Sequence, residues 1–251
     1  MAVGVLALQG SFNEHIAALK RVGVKGVEVR KPEQLESLKA LIIPGGESTT
    51  MAKLAEYHNL FPALRDFVKT GKPVWGTCAG LIFLADKAIG QKIGGQELIG
   101  GLDCTVHRNF FGSQIQSFVA EVPVPEVVAK EGGPPSFLGV FIRAPGILEV
   151  GPQVQVLAQV SAPSDQSDPT GKIIEVLTNP ENAGSEKKVI VAVKQGNLLA
   201  TAFHPELTSD TRWHSYFLKM ISETSQDASS SNSEDLNLSE QPKYELPVFQ
   251  Q

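Results

Sequence analysis

The chain has 251 residues, of which 42% are hydrophobic and 20% charged, and its formal net charge is −5. This composition is ordinary for a globular protein, and the length suits one large α/β domain or two small ones. No run approaches the roughly 20 apolar residues that a membrane span needs. The N-terminus lacks the basic region of a secretory or transit signal. We therefore expect no membrane association and a cytoplasmic location.

The distribution of charge and cysteine excludes further classes of protein. Residues 222–251 contain six acidic residues and one lysine, so this segment carries the whole net charge and the rest of the chain is formally neutral. A neutral body without a basic stripe gives no support for nucleic-acid binding. The only cysteines are Cys78 and Cys104, without a Cys-x-x-Cys motif or a Cys/His cluster. This argues against a disulfide scaffold and against a zinc site, and it favours a reducing compartment.

The first half of the chain alternates apolar strands with amphipathic helices. Such alternation is typical of a parallel sheet covered on both faces. We therefore expect an α/β three-layer sandwich with a mostly parallel central sheet flanked by helices. The predicted strands cover 3–9, 26–32, 40–46 and 73–77, and the predicted helices cover 12–23, 49–72 with an interruption near Pro62, and 79–88.

After about Gly95 the pattern changes to the alternation of half-exposed strands, with a hairpin turn at Gly196 to Leu199 and a closing helix at 211–223. Residues 161–188 are rich in Pro, Ser, Asp and Gly, which predicts a surface excursion. Residues 222–251 are acidic and Ser-rich, which predicts a disordered tail. We thus expect one domain over 1–221 followed by that tail.

A pentapeptide at the end of the fourth predicted strand carries the first sign of chemistry. Gly76-Thr77-Cys78-Ala79-Gly80 has the shape of a nucleophile elbow with cysteine in place of serine. The turn would present the Cys78 sulfur at the carboxyl end of the sheet, where open α/β folds bind ligands. The N-terminus of the next helix favours a thiolate, and the Ala79 amide can donate to an oxyanion. The alternative is a buried structural cysteine.

A cysteine nucleophile needs a base, and the base needs a group that orients it. His204 ends a predicted strand, and Glu206 follows two residues later, with Pro205 fixing the backbone between them. This spacing can hold a carboxylate against one imidazole nitrogen while the other faces a thiol, although a surface histidine at a strand end is an alternative. Three other histidines on predicted helices are expected only to pack or to be exposed: His15, His58 and His214.

A Gly45-Gly46 turn follows the third predicted strand, which should neighbour the nucleophile strand. The backbone N–H groups of this turn can complete an oxyanion hole. Glu47 has no obvious capping role at the tip of the turn and can receive a substrate ammonium. Three hydroxyl residues follow that can cap the next helix, Ser48, Thr49 and Thr50.

Together these pieces resemble class I glutamine amidotransferases. Further segments narrow the resemblance: "LALQGSFNEH", "PGGESTTM", "GTCAGLI", "RNFFGSQIQSF", "GVFIRAP" and "FHPELT" are similar to the glutaminase subunit of pyridoxal 5'-phosphate synthase. The resemblance runs from about Val3 to Met220 and implies the flavodoxin-like fold of class I glutamine amidotransferases. The excursion and the tail depart from the compact microbial pattern.

The resemblance implies hydrolysis of L-glutamine to L-glutamate and ammonia. It implies Cys78 as nucleophile, His204 and Glu206 as the rest of the triad, and the amides of Gly46 and Ala79 as oxyanion donors. An arginine fork suits a carboxylate, and a carboxylate at position 47 suits an ammonium. The implied contact at position 142 is through the backbone, and Arg143 alone is equally consistent with an exposed strand-end charge. The implied glutamine contacts are Gly46, Glu47, Ser48, Arg108, Ile142 and Arg143.

The resemblance implies no metal and no organic cofactor. Its implied partner is the synthase subunit, a (β/α)8 barrel that receives the ammonia and builds pyridoxal 5'-phosphate. One alternative is the same chemistry for another acceptor, as in the glutaminase of imidazole glycerol phosphate synthase; "FIRAP" and "RNFFGSQ" weigh against it. The other alternative is a non-catalytic regulatory protein that only binds its partner. The intact set of Cys78, His204 and Glu206 weighs against that.

Overall fold

The N-terminal half folds as the alternation of strands and helices predicts. The computed structural model describes residues 2–90, 95–112, 117–161 and 188–230, without the side chains of 225–230. A short 3-10 turn (Pro32–Leu35) lies before the third strand. The elements are, in chain order, β1 (Ala2–Leu6), α1 (Phe12–Arg21), β2 (Lys25–Val29), β3 (Ala40–Ile43), α2 (Ser48–Tyr57), α3 (Leu60–Lys69), β4 (Val74–Thr77) and α4 (Ala79–Leu84).

The C-terminal half is rich in strands and ends in a helix. A second 3-10 turn (Pro205–Leu207) separates the last strand from that helix. The elements continue as β5 (Ala85–Ile89), β6 (Leu102–His107), β7 (Phe118–Pro123), α5 (Pro125–Glu131), β8 (Ser136–Phe141), β9 (Gly146–Val150), β10 (Gln155–Ser161), β11 (Lys188–Gln195), β12 (Leu198–Thr201) and α6 (Arg212–Ser230).

One mixed sheet of ten strands organises the described chain. Its path runs β2-β1-β3-β4-β12-β11-β9-β6-β5, with β10 added on β11, while β7 and β8 form a separate hairpin. Strands β2, β1, β3, β4 and β12 are mutually parallel, and β11 pairs antiparallel with both β12 and β9. Every residue of β3, β4 and β12 is buried, which explains why these strands are apolar apart from Thr77 and Thr201. The predicted α/β fold with a mostly parallel central sheet and flanking helices is confirmed.

Two of the predicted helices differ from the observed helices in where they end. The helix predicted over 49–72 is two helices, and the break falls at Asn59, whose φ of 52° is left-handed. Pro62 lies in the first turn of α3, where a missing N–H breaks no helical hydrogen bond. The helix predicted over 79–88 ends at Leu84. Residues 85–89 instead form β5 because β6 offers a parallel partner, and such long-range pairing overrides local propensity.

The excursion and the tail fall mostly outside the described residues. Ser161 pairs with Lys188 across β10 and β11, so residues 162–187, which are not described, join two adjacent strand ends. Helix α6 continues to Ser230, past residue 222 where the sequence predicts the tail to begin. Residues 231–251 lie outside the described chain. None of the described helices has the length and apolar character required to cross a bilayer.

Candidate active site

Cys78 occupies a strained turn between β4 and α4. Its φ of 48° and ψ of −100° lie outside the usual regions for a residue with a side chain, as at nucleophile elbows. Two glycines make the turn possible, because added side chains would collide with backbone. A Cβ on Gly76 would lie 2.4 Å from the carbonyl oxygen of Gly80, and one on Gly80 would lie 1.9 Å from that of Ile43. The side chain of Cys78 is therefore fixed in position at the carboxyl end of β4.

His204 and Glu206 reach Cys78 from the end of the neighbouring strand. Strand β12 pairs in parallel with β4, so the residues after β12 emerge beside the elbow. The His204 ring and the Cys78 thiol both line the cleft, close enough to interact electrostatically. His204 Nδ1 lies 2.7 Å from Oε1 of Glu206, which leaves Nε2 for the sulfur. The structure thus brings the three predicted triad residues into one buried chain of contacts.

The electrostatics of these three side chains favour an ion pair between His204 and Glu206. Burial disfavours a charged ring, but the charge and hydrogen bond of Cys78 and those of Glu206 raise the pKa of His204 well above 6.5. Burial also pushes the pKa of Glu206 upward. The proximity of His15, the contacts of His204 and the hydrogen bond from Ser11 outweigh it and lower that pKa to about 2. Glu206 is therefore ionised and supports a protonated His204.

The Gly45-Gly46 turn follows β3, which pairs with β4 as the sequence predicts. The Gly45 carbonyl accepts the backbone N–H of Ser11 at 3.0 Å. Since the peptide bonds of the described chain are all trans, the N–H of Gly46 points the opposite way from that carbonyl. Gly46 and Ala79 both line the cleft that contains Cys78. The two residues predicted as oxyanion donors therefore border the same cleft as the sulfur.

A cleft of about 190 Å³ opens above the thiol. All six residues predicted to contact glutamine line it, together with Cys78, Ala79 and His204, whereas Glu206 lies behind the His204 ring. The six are Gly46, Glu47, Ser48, Arg108, Ile142 and Arg143.

The prediction that Glu47 has no capping role is wrong. Glu47 is the N-cap of α2, and its carboxylate accepts the backbone N–H groups of Thr49 at 3.3 Å and Thr50 at 2.7 Å. Ser48 is already the first helical residue, so neither it nor the two threonines can occupy the capping position. Burial raises the pKa of Glu47, but the bonds from both threonines together outweigh it and lower that pKa to about 2. Its side chain remains 39% exposed, so the charge still faces the cleft.

Arg108 follows β6 and faces Glu47 across the cleft. Its guanidinium donates to the hydroxyl of Ser48, and Nη2 lies 4.0 Å from Oε1 of Glu47. The Nε atom is buried without a hydrogen-bond partner among the described residues. The arrangement leaves donor capacity for a bound carboxylate.

Ile142 and Arg143 complete the rim after β8. The Ile142 carbonyl lies 3.9 Å from the Cys78 sulfur, so the backbone of this residue reaches the thiol. Arg143 is exposed and has a φ of 45°, which is unusual for a residue with a side chain. The strain marks this loop as one that the surrounding structure holds in place.

Sequence reasoning missed several residues around the site. Gln9 and Asn109 line the cleft, and Gln9 Oε1 accepts the backbone N–H of Glu47 at 2.8 Å. The Ser11 hydroxyl donates to Glu206 Oε1 at 2.6 Å. His15, expected only to pack or to be exposed, is fully buried and lies 3.3 Å from Glu206. The only signal was that these residues fall within segments already notable for their resemblance.

Comparison with known proteins identifies the family. The model of the SNO glutamine amidotransferase family matches residues 5–223. A protein of Arabidopsis thaliana described as "Probable pyridoxal 5'-phosphate synthase subunit PDX2" is 66% identical over 257 residues, covering 100% of both chains. "Pyridoxal 5'-phosphate synthase subunit PdxT" of Acidothermus cellulolyticus is 47% identical over 219 residues, covering 87% of this chain and 93% of its own.

Solved structures are similar to this chain as well. A structure described as "Crystal structure of glutamine amidotransferase" is 43% identical with a TM-score of 0.69, and the match covers 88% of this chain and 98% of that one. The structure of PurLQS from Thermotoga maritima, at 15% identity and a TM-score of 0.56 over 88% of this chain and 98% of that one, shares the fold. The family match and the curated relatives confirm the resemblance that the motifs predict. The chain belongs to the SNO glutamine amidotransferase family.

Proposed function

We propose that this chain is the glutaminase subunit of a pyridoxal 5'-phosphate synthase, which hydrolyses L-glutamine and supplies ammonia for vitamin B6 biosynthesis. The observation that carries the proposal is the placement of Cys78 and His204 together in the cleft, with Glu206 held against the far side of the His204 ring. A thiol, a base and an orienting carboxylate in this order are the parts that nucleophilic acyl transfer requires. The names of the relatives support the choice of synthase.

Glutamine fits the cleft in one orientation by charge. Its α-carboxylate pairs with Arg108, whose guanidinium has a buried donor without a partner among the described residues. Its α-ammonium lies against the ionised Glu47, and its side-chain amide reaches Cys78. Ser48, Ile142 and Arg143 border the substrate at the rim.

The reaction proceeds in two halves. The Cys78 thiolate attacks the amide carbon, and the amide N–H groups of Gly46 and Ala79 stabilise the oxyanion that forms. The carbon–nitrogen bond then breaks as protonated His204 gives its proton to the leaving ammonia, which leaves a γ-glutamyl thioester.

In the second half, neutral His204 takes a proton from water, and the resulting hydroxide attacks the thioester carbon. The carbon–sulfur bond breaks, the product leaves and its new carboxyl group loses a proton to water as glutamate, and the thiolate and protonated His204 are restored. Glu206 orients the ring and supports its cation throughout. This sequence uses only side chains and backbone of this chain, without a metal or an organic cofactor.

The ammonia is useful only if an acceptor receives it before it escapes to water. The partner in this proposal is the synthase subunit, a (β/α)8 barrel that uses the ammonia in building pyridoxal 5'-phosphate. The names of the relatives, which describe subunits of a synthase, support this assignment.

The test combines this chain with sugar-phosphate substrates and a purified synthase subunit. Pyridoxal 5'-phosphate should form with glutamine as the only nitrogen source. Replacing wild type by Cys78→Ala should abolish this product, and free ammonium should restore it. Product formation with ammonium but never with glutamine and wild-type chain would reject the proposed pairing. Glutamate release, measured with and without the synthase, checks the glutaminase step separately.

A further inference from the structure

A second group of polar side chains lies behind the triad, on the side away from the cleft. His15 on α1 and His214 on α6 are both buried, with 0% and 1% of their surface exposed. His15 Nδ1 lies 3.0 Å from His214 Nε2, and His15 Nε2 lies 3.1 Å from Thr77 Oγ1. The same Nε2 atom lies 3.3 Å from Oε2 of Glu206. The second carboxylate oxygen of the triad thus faces a histidine that does not touch the cleft.

That carboxylate oxygen needs a donor. Glu206 Oε1 accepts from both His204 and Ser11, whereas Oε2 is buried without a hydrogen bond of ordinary geometry among the described residues. An unsatisfied charged oxygen in the interior is costly. The terminal torsion of a carboxylate is also soft, so an unheld Oε2 would let the group rotate away from His204. Nε2 of His15 lies within reach of Oε2, at 3.3 Å.

Electrostatics select which nitrogen of His15 carries the proton. With the proton on Nδ1, the Nε2 lone pair would face the carboxylate of Glu206 at 3.3 Å in a buried site, which is repulsive. With the proton on Nε2, the ring donates toward Glu206 and Thr77, and Nδ1 accepts from His214 Nε2. The histidine pair then forms one consistent chain of donors and acceptors.

Both rings of the pair are neutral. Burial lowers the pKa of His15 more than the nearby charge of Glu206 raises it, while His204 lowers it and Glu14 raises it. Burial also lowers the pKa of His214 to about 3; of its neighbours, His15 and Arg21 lower it further and Glu206 raises it. Trp75 packs roughly perpendicular to both rings, with centroids at 5.5 and 4.9 Å, and contributes to their desolvation.

We propose that His15 is a positioning residue for the triad, which donates its Nε2–H to Glu206 Oε2 and thereby holds Oε1 against His204. His214 holds the tautomer of His15 that can do so. Only the expected effect on turnover of glutamine rests on the proposed function. The geometric claim concerns a proton and a carboxylate and can be tested without glutamine.

The test compares two substitutions of similar size. His15→Met removes the donor, whereas His15→Gln places an amide N–H near the position of Nε2. We expect kcat to fall about 10- to 100-fold in His15→Met, the effect of one hydrogen bond to a charged group, with KM for glutamine little changed. His15→Gln should recover most of the loss. Val127→Ala, a core substitution on α5, an element without a residue of the candidate site, controls for general loss of packing.

A second readout follows the pH dependence of alkylation of Cys78 by iodoacetamide. A loosened Glu206 supports the His204 cation less, so the midpoint of the alkylation rate should move upward by roughly 0.5–1 pH unit in His15→Met, and not in His15→Gln or Val127→Ala. Burial, followed by the charges of Asp86 and Asp103, raises the pKa of Cys104 to about 12, so this thiol is not alkylated in the pH range of the experiment. An unshifted midpoint with unchanged kcat in folded His15→Met would overturn the proposal.

The wild-type protein provides a test that needs no variant. Ring nitrogen chemical shifts in an NMR spectrum of 15N-histidine-labelled protein report which nitrogen of His15 is protonated. We expect the proton on Nε2, with Nδ1 as an acceptor. A proton on Nδ1 would overturn the proposal even if the protein proves to be a glutaminase, and a proton on Nε2 would support it even if glutamine is not the substrate.

Discussion

Gly45 and His204 are in direct contact: a Cβ atom on Gly45 would lie 2.2 Å from Cε1 of the ring and 2.8 Å from Nδ1. The same Cβ would lie 3.2 Å from Cβ of Cys78. The backbone of the Gly45-Gly46 turn and the residues proposed as base and nucleophile therefore occupy adjoining positions, with no room for one more methyl group. The hydrogen bond from the backbone N–H of Ser11 to the Gly45 carbonyl fixes the turn in this position.

We expect Gly45→Ala to lower kcat by at least about 10²-fold. Either the His204 ring must move and lose its contact with Glu206, or the turn must move and lose an oxyanion donor. Gly23→Ala is the control, since a Cβ there meets no atom within 4 Å although its φ of 77° costs some stability. Steady-state kinetics and thermal melting of both variants separate the two effects. Full activity in Gly45→Ala would show that the turn and the ring do not act together.

Cys78→Ala should abolish glutaminase activity by several orders of magnitude, because the attacking atom is lost. Cys104→Ala should leave most of it, since Cys104 is a buried core residue on β6. A glutamine analogue with an electrophilic side chain should label wild-type protein at Cys78 alone, as peptide mass spectrometry would show. Substantial turnover by Cys78→Ala would reject the thiolate mechanism.

Glu206→Gln should keep the fold and lower kcat far more than it changes glutamine affinity. The amide cannot support the His204 cation, and its NH2 group would face either the two groups at Oε1, His204 and Ser11, or the His15 ring at Oε2. Glu56→Gln, on the exposed part of α2, serves as the matched control. Near-normal kcat in Glu206→Gln would show that the 2.7 Å contact with His204 is not used in catalysis.

Glu47→Gln should raise KM for glutamine about 10-fold with a small change in kcat, because it removes a charge that binds the substrate ammonium before and during the reaction. It should also weaken α2, since a cap contributes about 0.5–2 kcal/mol. A KM equal to that of wild type would mean that Glu47 acts only as a helix cap.

The pH dependence of stability checks the same residue. The folded pKa of Glu47 is about 2, below the ordinary 4.5, so its ionised form stabilises the fold above pH 4.5, and this contribution is lost as the pH falls toward 2. The difference in unfolding free energy between wild type and Glu47→Gln should therefore shrink over that range. A constant difference in denaturant melts from about pH 5 to about pH 2.5 would contradict the capping charge.

The alternation of strands and helices was readable from the sequence because each buried parallel strand is a continuous apolar run. The ends of the helices and strands were harder to predict from the sequence. Residues 85–89 continue an amphipathic helix by their local pattern, but they pair with β6 in the folded chain. The break between α2 and α3 falls at Asn59 instead of near Pro62 because the first turn of a helix needs no N–H bonds.

The sequence by itself determined the parts of the site whose chemistry is local. The glycines around Cys78 and the spacing of His204 and Glu206 act within a few residues, so a short stretch of chain contains the whole requirement. Only the tertiary structure decided which residues stand behind them. His15 and His214 are separated by 199 positions, and each alone reads as an ordinary helical histidine. Their meeting beside Glu206 depends on how α1 and α6 pack, because the partner of a buried polar group is set by long-range packing that no local pattern encodes.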